Sequence, residues 1–189
     1  MKLGEVGNFI SGINPSRVKR DIDVGFDNLY SQEMFDCDYE LRKGNKKIII
    51  LDDMQNYRLR ENDVLIRSVS TKAILVSKDH AGAIYTANFI KADFDPEIIY
   101  NKYFIYVYNC NKAVAKQLTN NVQGTLLSRV TTSILKELDI PVPSIEVQKL
   151  IGDIYYENLK LKHLYKVKAE LLELLVDTCL TKAIEEKEA

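Results

Sequence analysis

The side chains that could carry out covalent chemistry are few and far apart. The 189 residues include two histidines, His80 and His163, and three cysteines, Cys37, Cys110 and Cys179, with no CxxC pair. A zinc site or a disulfide framework is therefore not expected, and the cysteines are interpreted as free buried thiols. The sequence arranges no nucleophile beside His80, so a turn or surface histidine is favoured over a catalytic one.

Motifs of group-transfer enzymes are also missing from the sequence. It contains no glycine-rich phosphate-binding loop and no Asn/Asp-Pro-Pro-aromatic tetrapeptide of an amino-methyltransferase. Glu185-Glu186-Lys187 matches the end of a nuclease signature, but it lies in a charged helical tail and is interpreted as a chance match. The sequence therefore predicts a binding module with no catalytic residue, cofactor or metal.

The charges are unevenly distributed although the net charge is only −1. All seven charged residues from Asp21 to Glu40 are acidic, whereas nine basic residues face four acidic ones from Arg42 to Lys78. Such asymmetry permits a local basic surface. On charge alone, however, a solvated loop is the simpler interpretation.

Length and composition indicate one soluble domain, either alone or with an appendage. Hydrophobic residues make up 46% and charged residues 28% of the chain, which is ordinary for a globular protein. No apolar run is long enough for a membrane span, and the first residues lack the apolar core of a signal peptide. We therefore expect a cytoplasmic protein.

The sequence pattern of the first 143 residues predicts an α+β domain with a mixed sheet. Short β-branched runs separated by Gly, Asn, Asp and Ser predict strands: Lys47–Leu51, Asp63–Ile66, Ala73–Val76, Ala83–Thr86 and Asn88–Ile90. From Tyr100 to Leu118 the apolar residues recur at helical spacing, which predicts one or two helices packed on the sheet. Thr119–Thr125 is predicted to be a polar loop.

A single long helix is predicted after Pro143, over residues 144–187. Pro141 and Pro143 cannot lie inside a helix, and Ser144 is a plausible N-cap. The helix would reach about 60 Å at 1.5 Å per residue, and the chain offers it no second long helix. Its apolar seam, interrupted at Lys168, predicts a partner helix outside the molecule, through Val147, Leu150, Ile151, Ile154, Leu161, Leu164, Leu171 and Leu175.

The segment LKELDIPVPSIEVQKLIGDI at this boundary resembles the junction in specificity subunits of type I restriction–modification systems. There a target-recognition domain ends in Pro-x-Pro and a conserved helix begins. The Glu-Val-Gln order differs from the commoner Glu-Gln pair, and the match is carried by Ile140, Pro141, Pro143, Glu146, Gln148 and Ile151. Four further segments are similar in the same order: KLGEVGNFISGINPS, LRENDVLI, AGAIYTANFIKA and NNVQGTLLSRVTTSILKELDIPVP.

The resemblance implies a half-length subunit. Complete specificity subunits carry two recognition domains and two long helices that pair antiparallel, whereas this chain has one of each. We therefore expect a non-catalytic DNA-recognition subunit that forms a homodimer and reads a bipartite inverted repeat. Its implied partners are double-stranded DNA, a second copy of itself, modification (M) subunits that methylate adenine, and restriction (R) subunits.

The resemblance also implies where DNA would bind. Candidates for base contact are polar residues of two predicted loops: Ser68, Ser70, Thr71, Lys72, Asn120, Asn121, Gln123, Gly124 and Thr125. Candidates for phosphate contact are basic: Lys46, Lys47, Arg58, Arg67, Lys78 and Arg129. For each of them ordinary surface solvation is an equal alternative. Tyr103, Tyr106 and Tyr108 are expected to pack in the core rather than stack on bases.

Two other functions fit the same sequence. The chain could be an adaptor whose coiled coil and globular domain both bind protein, or a detached recognition domain of a fused nuclease–methyltransferase. Salt-dependent binding to duplex DNA would separate a DNA-binding protein from the adaptor. Turnover of a methyl donor by the purified chain would separate an enzyme from a DNA-recognition subunit.

Overall fold

The computed structural model describes residues 1–14, 28–44, 48, 55–122 and 129–188. Within these ranges it has four strands: β1 (Gly7–Ser11), β2 (Val64–Arg67), β3 (Lys72–Leu75) and β4 (Phe89–Phe94). The α-helices there are α1 (Gln32–Tyr39), α2 (Asn101–Cys110), α3 (Lys112–Val122), α4 (Thr132–Glu137) and α5 (Ile145–Glu188). This is the α+β architecture that the sequence predicts. No helix in the described ranges is long and apolar enough to cross a membrane.

The four strands form one antiparallel sheet in the order β1-β4-β2-β3. Successive residues of β2 point to opposite faces of the sheet: Val64 and Ile66 join the core under α2, whereas Leu65 joins a second core with Tyr30 and Phe35. Val64, Leu65 and Ile66 are all buried. The sheet is therefore covered on both faces, which makes it a rigid base for the segments that leave its ends.

Three of the predicted strands are confirmed, and one is wrong. Asp63–Ile66, Ala73–Val76 and Asn88–Ile90 correspond to β2, β3 and β4. Ala83–Thr86 forms only isolated bridges, because its backbone bonds to several separate segments: Tyr30 N donates to Ile84 O, and Leu59 N to Ala83 O. The predicted strand at 47–51 lies outside the described residues except for Ile48, which is not in a strand and packs against the second core.

The predicted helical region from Tyr100 is confirmed as two helices, α2 and α3. They are separated at Asn111, whose Oδ1 accepts a hydrogen bond from Ala113 N at 2.9 Å. The polar loop predicted at Thr119–Thr125 is wrong at its start, because α3 continues to Val122. Leu118 is buried, and the Thr119 hydroxyl donates to Ala115 O at 2.9 Å within the helix. The loop's later residues lie outside the described ranges.

The long helix after Pro143 is confirmed, and the amide of Gln148 fixes its start. The Gln148 side chain is buried. Its Oε1 accepts from Tyr100 N at 3.0 Å, and its Nε2 donates to Ile98 O and Pro143 O, both at 2.9 Å. One side chain therefore connects α5, the segment that precedes it and the start of α2.

The next turn of α5 lies directly against α2. A Cβ added at Gly152 would be 2.7 Å from the backbone nitrogen of Tyr103, so only glycine allows this approach. Asp153 accepts hydrogen bonds from Lys102 Nζ at 2.7 Å and from the Tyr100 hydroxyl at 3.0 Å. These bonds hold the pKa of Asp153 below its usual value, so their stabilising effect is lost as the pH falls through that lowered pKa. One turn further on, the ring of Tyr156 is buried.

Towards its C-terminus the helix projects away from the domain, and Leu161, Leu164, Leu171 and Leu175 are about half exposed or more. The side that faces the domain continues past Tyr156 to Lys166, whose Nζ contacts Glu40 Oε2 at 3.1 Å. The side chains from 168 to 184 are all exposed. Ile151 differs from the sequence prediction: it packs against its own domain's core, because it lies on the docked side of the helix.

We predict that Gln148→Ala lowers the free energy of unfolding by about 2–4 kcal/mol, because three partly buried backbone groups lose their hydrogen bonds to the buried amide. Urea denaturation followed by circular dichroism measures the change. The neighbouring Lys149→Ala, at an exposed position, is the control and should change stability by less than about 0.5 kcal/mol. Equal effects of the two substitutions would contradict the role given to the buried amide.

Candidate nucleic-acid interface

The turn between β2 and β3 is a four-residue loop on the sheet, where Arg67 and Lys72 form the last strand pair. Ser68 is buried, and its backbone nitrogen and hydroxyl both donate to Asn88 O, at 3.0 and 2.8 Å. Ser68 therefore anchors the turn within the protein. Val69, Ser70 and Thr71 form the tip, and Val69 is 53% exposed. The Ser70 hydroxyl is buried, so its predicted base contact does not fit this conformation of the turn.

Thr71 occupies an unfavourable backbone conformation. Its φ is +48°, a left-handed region that β-branched residues rarely adopt. Such strain costs on the order of 1–3 kcal/mol and is found most often at functional sites. The structure next to the turn is well fixed, because the Asn109 amide exchanges two hydrogen bonds with the backbone of Ala73, at 2.9 and 2.8 Å.

Another segment of the same chain, around Val130, contacts this turn. Val130 N donates to Ser68 O at 2.8 Å, which places the exposed Arg129 beside the tip. The segment is held from the other side because Thr131 caps α4, accepting from Ile134 N at 3.3 Å. The structure thus brings together two segments that are predicted from the sequence to contact DNA, the β2–β3 turn and Arg129.

The remaining candidates for base contact are less closely defined. Asn120 and Asn121 are exposed on the last turn of α3. Gln123, Gly124 and Thr125 lie outside the described residues, in the segment that joins α3 to Arg129. A DNA-binding role for these five residues stays a prediction from the sequence.

Two basic side chains at the turn are held by α1. The Arg67 guanidinium lies 3.5 Å from Asp36 Oδ1 and 5.8 Å from the centre of the Phe35 ring. Lys72 Nζ lies 5.4 Å from the centre of the Tyr39 ring. These contacts orient both cations while leaving them partly exposed, as a phosphate or base contact requires.

The other predicted phosphate contacts are not gathered at the turn. Lys78 follows the opposite end of β3, in the 3₁₀ turn Lys78–His80. Arg58 lies beside the same segment, where its Nη1 donates to Gly82 O at 3.0 Å. Lys46 and Lys47 lie outside the described residues.

A groove next to the turn contains polar residues that sequence reasoning missed. Its volume is about 380 Å³, and its wall includes Gln32, Arg67, Val69 and Asn88. The side chains of Gln32 and Asn88 are exposed, and amides of this kind can pair with adenine. The capping Ser31, which accepts from Met34 N at 3.2 Å, marks the start of α1 in the sequence, but only the fold brings α1 beside the turn.

His80 belongs to a buried polar network rather than to a catalytic site. Its Nδ1 lies 2.8 Å from Asp38 Oδ1, and the Tyr30 hydroxyl donates to Asp38 Oδ2 at 2.6 Å. Ser77 Oγ is 3.3 Å from the same Nδ1, whereas a catalytic relay uses both ring nitrogens. Burial and the Asp38 carboxylate raise the pKa of Tyr30. The turn predicted at His80 is confirmed, but the histidine is buried because it links that turn to α1.

The cysteines are unpaired, and the three tyrosines of α2 pack within the protein. All three cysteines are free; Cys37 is buried as expected, whereas Cys110 and Cys179 are exposed. Tyr103 and Tyr108 are buried, and Tyr106 packs on Tyr155 with ring centres 5.4 Å apart, which confirms their packing role. No cluster of three or more His, Cys, Asp or Glu side chains in the described ranges could hold a metal ion.

Comparison with known proteins decides the family. Residues 1–171 match the family model for the type I restriction modification DNA specificity domain. The chain belongs to this family. Specificity subunits of the family recognise DNA and are not themselves catalytic. No curated protein sequence matches this chain.

Solved structures have the same fold. The HsdS subunit from Thermoanaerobacter tengcongensis is 16% identical with a TM-score of 0.56, over 89% of this chain and 38% of that one. The type I S subunit from M. genitalium is 16% identical with a TM-score of 0.55, over 94% of this chain and 43% of that one. A chain solved in a study of complex assembly and conformational transition of the type I R-M system is 20% identical with a TM-score of 0.54, over 97% of this chain and 48% of that one. This specificity-domain chain thus spans less than half the length of each.

We predict that Thr71→Gly weakens duplex binding, because the tip loses its fixed conformation, while leaving stability nearly unchanged. Glycine adopts a positive φ without strain, and this gain offsets its larger loss of backbone entropy to within about 1 kcal/mol. Urea denaturation and fluorescence anisotropy with labelled DNA measure the two quantities. Asn62→Gly, at a φ of +66° before the other end of β2, is the control and should leave binding intact. A Thr71→Gly protein that is destabilised but binds normally would show that Thr71 serves the fold alone.

Proposed function

We propose that this chain is the sequence-specific, non-catalytic DNA-recognition subunit of a type I restriction–modification complex, that it acts as a homodimer and that it reads a bipartite inverted repeat. The observation that carries the proposal is the family match over residues 1–171. The domain boundaries 1–143 for DNA recognition and 144–187 for dimerisation and partner docking are part of this proposal.

The contact of Val130 with Ser68 supports the β2–β3 turn as the DNA-reading site. It brings the exposed Arg129, the strained Thr71 and the oriented cations Arg67 and Lys72 to one end of the sheet. Cations of this kind would neutralise phosphates and set the register on the duplex, while Thr71 at the tip and the exposed amides of Gln32 and Asn88 beside it would contact base edges. A rigid sheet beneath a short turn is the support that such readout needs.

The projecting half of α5 supports dimerisation. Its exposed leucines form an apolar seam along the side of the helix that does not contact the domain, and an isolated helix of this kind is only marginally stable in water. Pairing with a second copy would cover the seam and place one recognition domain at each end. Two identical readers related by a two-fold axis would select the same bases on opposite strands.

The proposed protein partners are adenine-methylating M subunits and R subunits. They would dock on the helix pair and on each recognition domain, so that the site chosen by this chain becomes the site of modification. The direct test of DNA recognition is selection from a random duplex library by the purified chain, repeated at several salt concentrations. Enrichment of an inverted repeat supports the proposal, whereas no enrichment at any salt concentration favours the protein-binding adaptor.

We predict that Arg129→Ala weakens binding to all duplexes and lowers the slope of log affinity against log salt by about 1, because one phosphate contact is lost. Titrations of the selected site and of an unrelated duplex at several salt concentrations measure both effects. Lys149→Ala, an exposed charge removal on α5, is the control and should leave the slope unchanged. An unchanged slope with Arg129→Ala would contradict the placement of the DNA-binding face.

A further inference from the structure

The exposed side of α5 carries a regular seven-residue repeat. With Val147 as position a, the a positions are Val147, Ile154, Leu161, Lys168 and Leu175, and the d positions are Leu150, Glu157, Leu164, Leu171 and Thr178. The buried positions of α5, Gln148, Gly152 and Tyr156, follow one another at spacing four on another side of the helix. The repeat is therefore free to meet another helix while α5 stays docked on its own domain.

Two charges interrupt this apolar seam, Glu157 at a d position and Lys168 at an a position. In a parallel in-register pair, a positions face a positions and d positions face d positions. Glu157 would then face a second Glu157, and Lys168 a second Lys168. Like charges at the centre of an interface disfavour it, so the charge pattern argues against parallel pairing.

For the antiparallel pair of α5 helices that the proposed dimer requires, we infer the register that places Glu157 opposite Lys168 of the second copy. In this register Leu161 faces Leu164, Ile154 faces Leu171, and Leu150 faces Leu175, each with the other copy's residue. Every layer joins an a position to a d position. The two-fold axis passes between Leu161 and Leu164, and this inference rests on the proposed dimer.

Neighbouring registers are disfavoured by the same two charges. A shift of one heptad in one direction places Glu157 opposite Leu161 and Lys168 opposite Leu150. A shift in the other direction places Glu157 opposite Leu175 and Lys168 opposite Leu164. In both cases four charges of the dimer would lie against leucines without a partner, which is how a few polar core positions specify register.

The same register fixes the spacing of the two domains. Glu157 accepts from Lys160 of its own helix at 2.6 Å, and both side chains are more than half exposed, so Glu157 is accessible to a second copy. The two Gln148 anchors would be 29 residues apart along the pair, about 43 Å at 1.5 Å per residue. That is somewhat more than one turn of B-DNA, about 34–36 Å.

A charge-swap cycle tests the pairing. Sedimentation equilibrium should show that Glu157→Lys and Lys168→Glu each weaken dimerisation about tenfold or more, because each creates like-charge contacts. The double variant should return to within about threefold of the unmodified chain. Glu173→Lys, an exposed charge reversal outside the seam, should have little effect. A double variant as weak as the singles would overturn the register.

Cysteine cross-linking separates a wrong register from a missing dimer. In a chain that carries Cys110→Ser and Cys179→Ser, the pair Ile154→Cys and Leu171→Cys should oxidise to a covalent dimer. Ile154→Cys with Leu164→Cys should not, and would do so only after a one-heptad shift. Ile154→Cys alone would cross-link only in a parallel pair. Cross-linking in either control overturns the inference, whereas a monomeric unmodified chain in sedimentation overturns the proposed dimer itself.

Discussion

The docking of the first turns of α5 on α2 is the constraint on which the rest of the structure depends. The buried amide of Gln148 makes hydrogen bonds to three partly buried backbone groups, and Gly152 lets the two helices approach to backbone contact. Together they fix how far the helix is rotated about its own axis. That rotation decides which side chains face the domain and which remain exposed for a partner.

The same constraint connects the two surfaces to which the proposed functions are assigned, and these lie far apart in the molecule. One end of the sheet presents the β2–β3 turn beside Arg129, held by Ser68 and Asn109. The docked helix carries the apolar repeat away from the domain over its projecting turns. The sheet is packed on both faces, and partly buried hydrogen bonds hold the turn and the helix to the domain, so the turn and the helix have a fixed relative position. A dimer formed through the helix would therefore hold the two turns at a defined separation. Such a fixed separation would be the physical basis for reading the proposed bipartite site.

Much of the fold follows from local patterns in the sequence. The strands β2 and β3 are recognisable from short β-branched runs, and α5 from the prolines, the N-cap and the absence of later breakers. Ala83–Thr86 could not be assigned correctly, because its bonds go to several distant segments rather than to one strand. Likewise, nothing local shows that Ser68 is buried against Asn88 or that Ile151 packs inward. Such contacts depend on which segments the fold brings together.

The candidate site was predictable to a similar extent. The polar turn after β2 and the basic Arg129 stand out in the sequence, whereas Gln32 and Asn88 were missed because α1 and the start of β4 meet the turn only in three dimensions. The direct test of the central claim is sequencing of methylated adenines after reconstitution of this chain with an M subunit. A homodimeric reader predicts one bipartite motif whose halves are inverted repeats separated by a spacer of constant length. An asymmetric motif, or a single undivided one, would contradict the account.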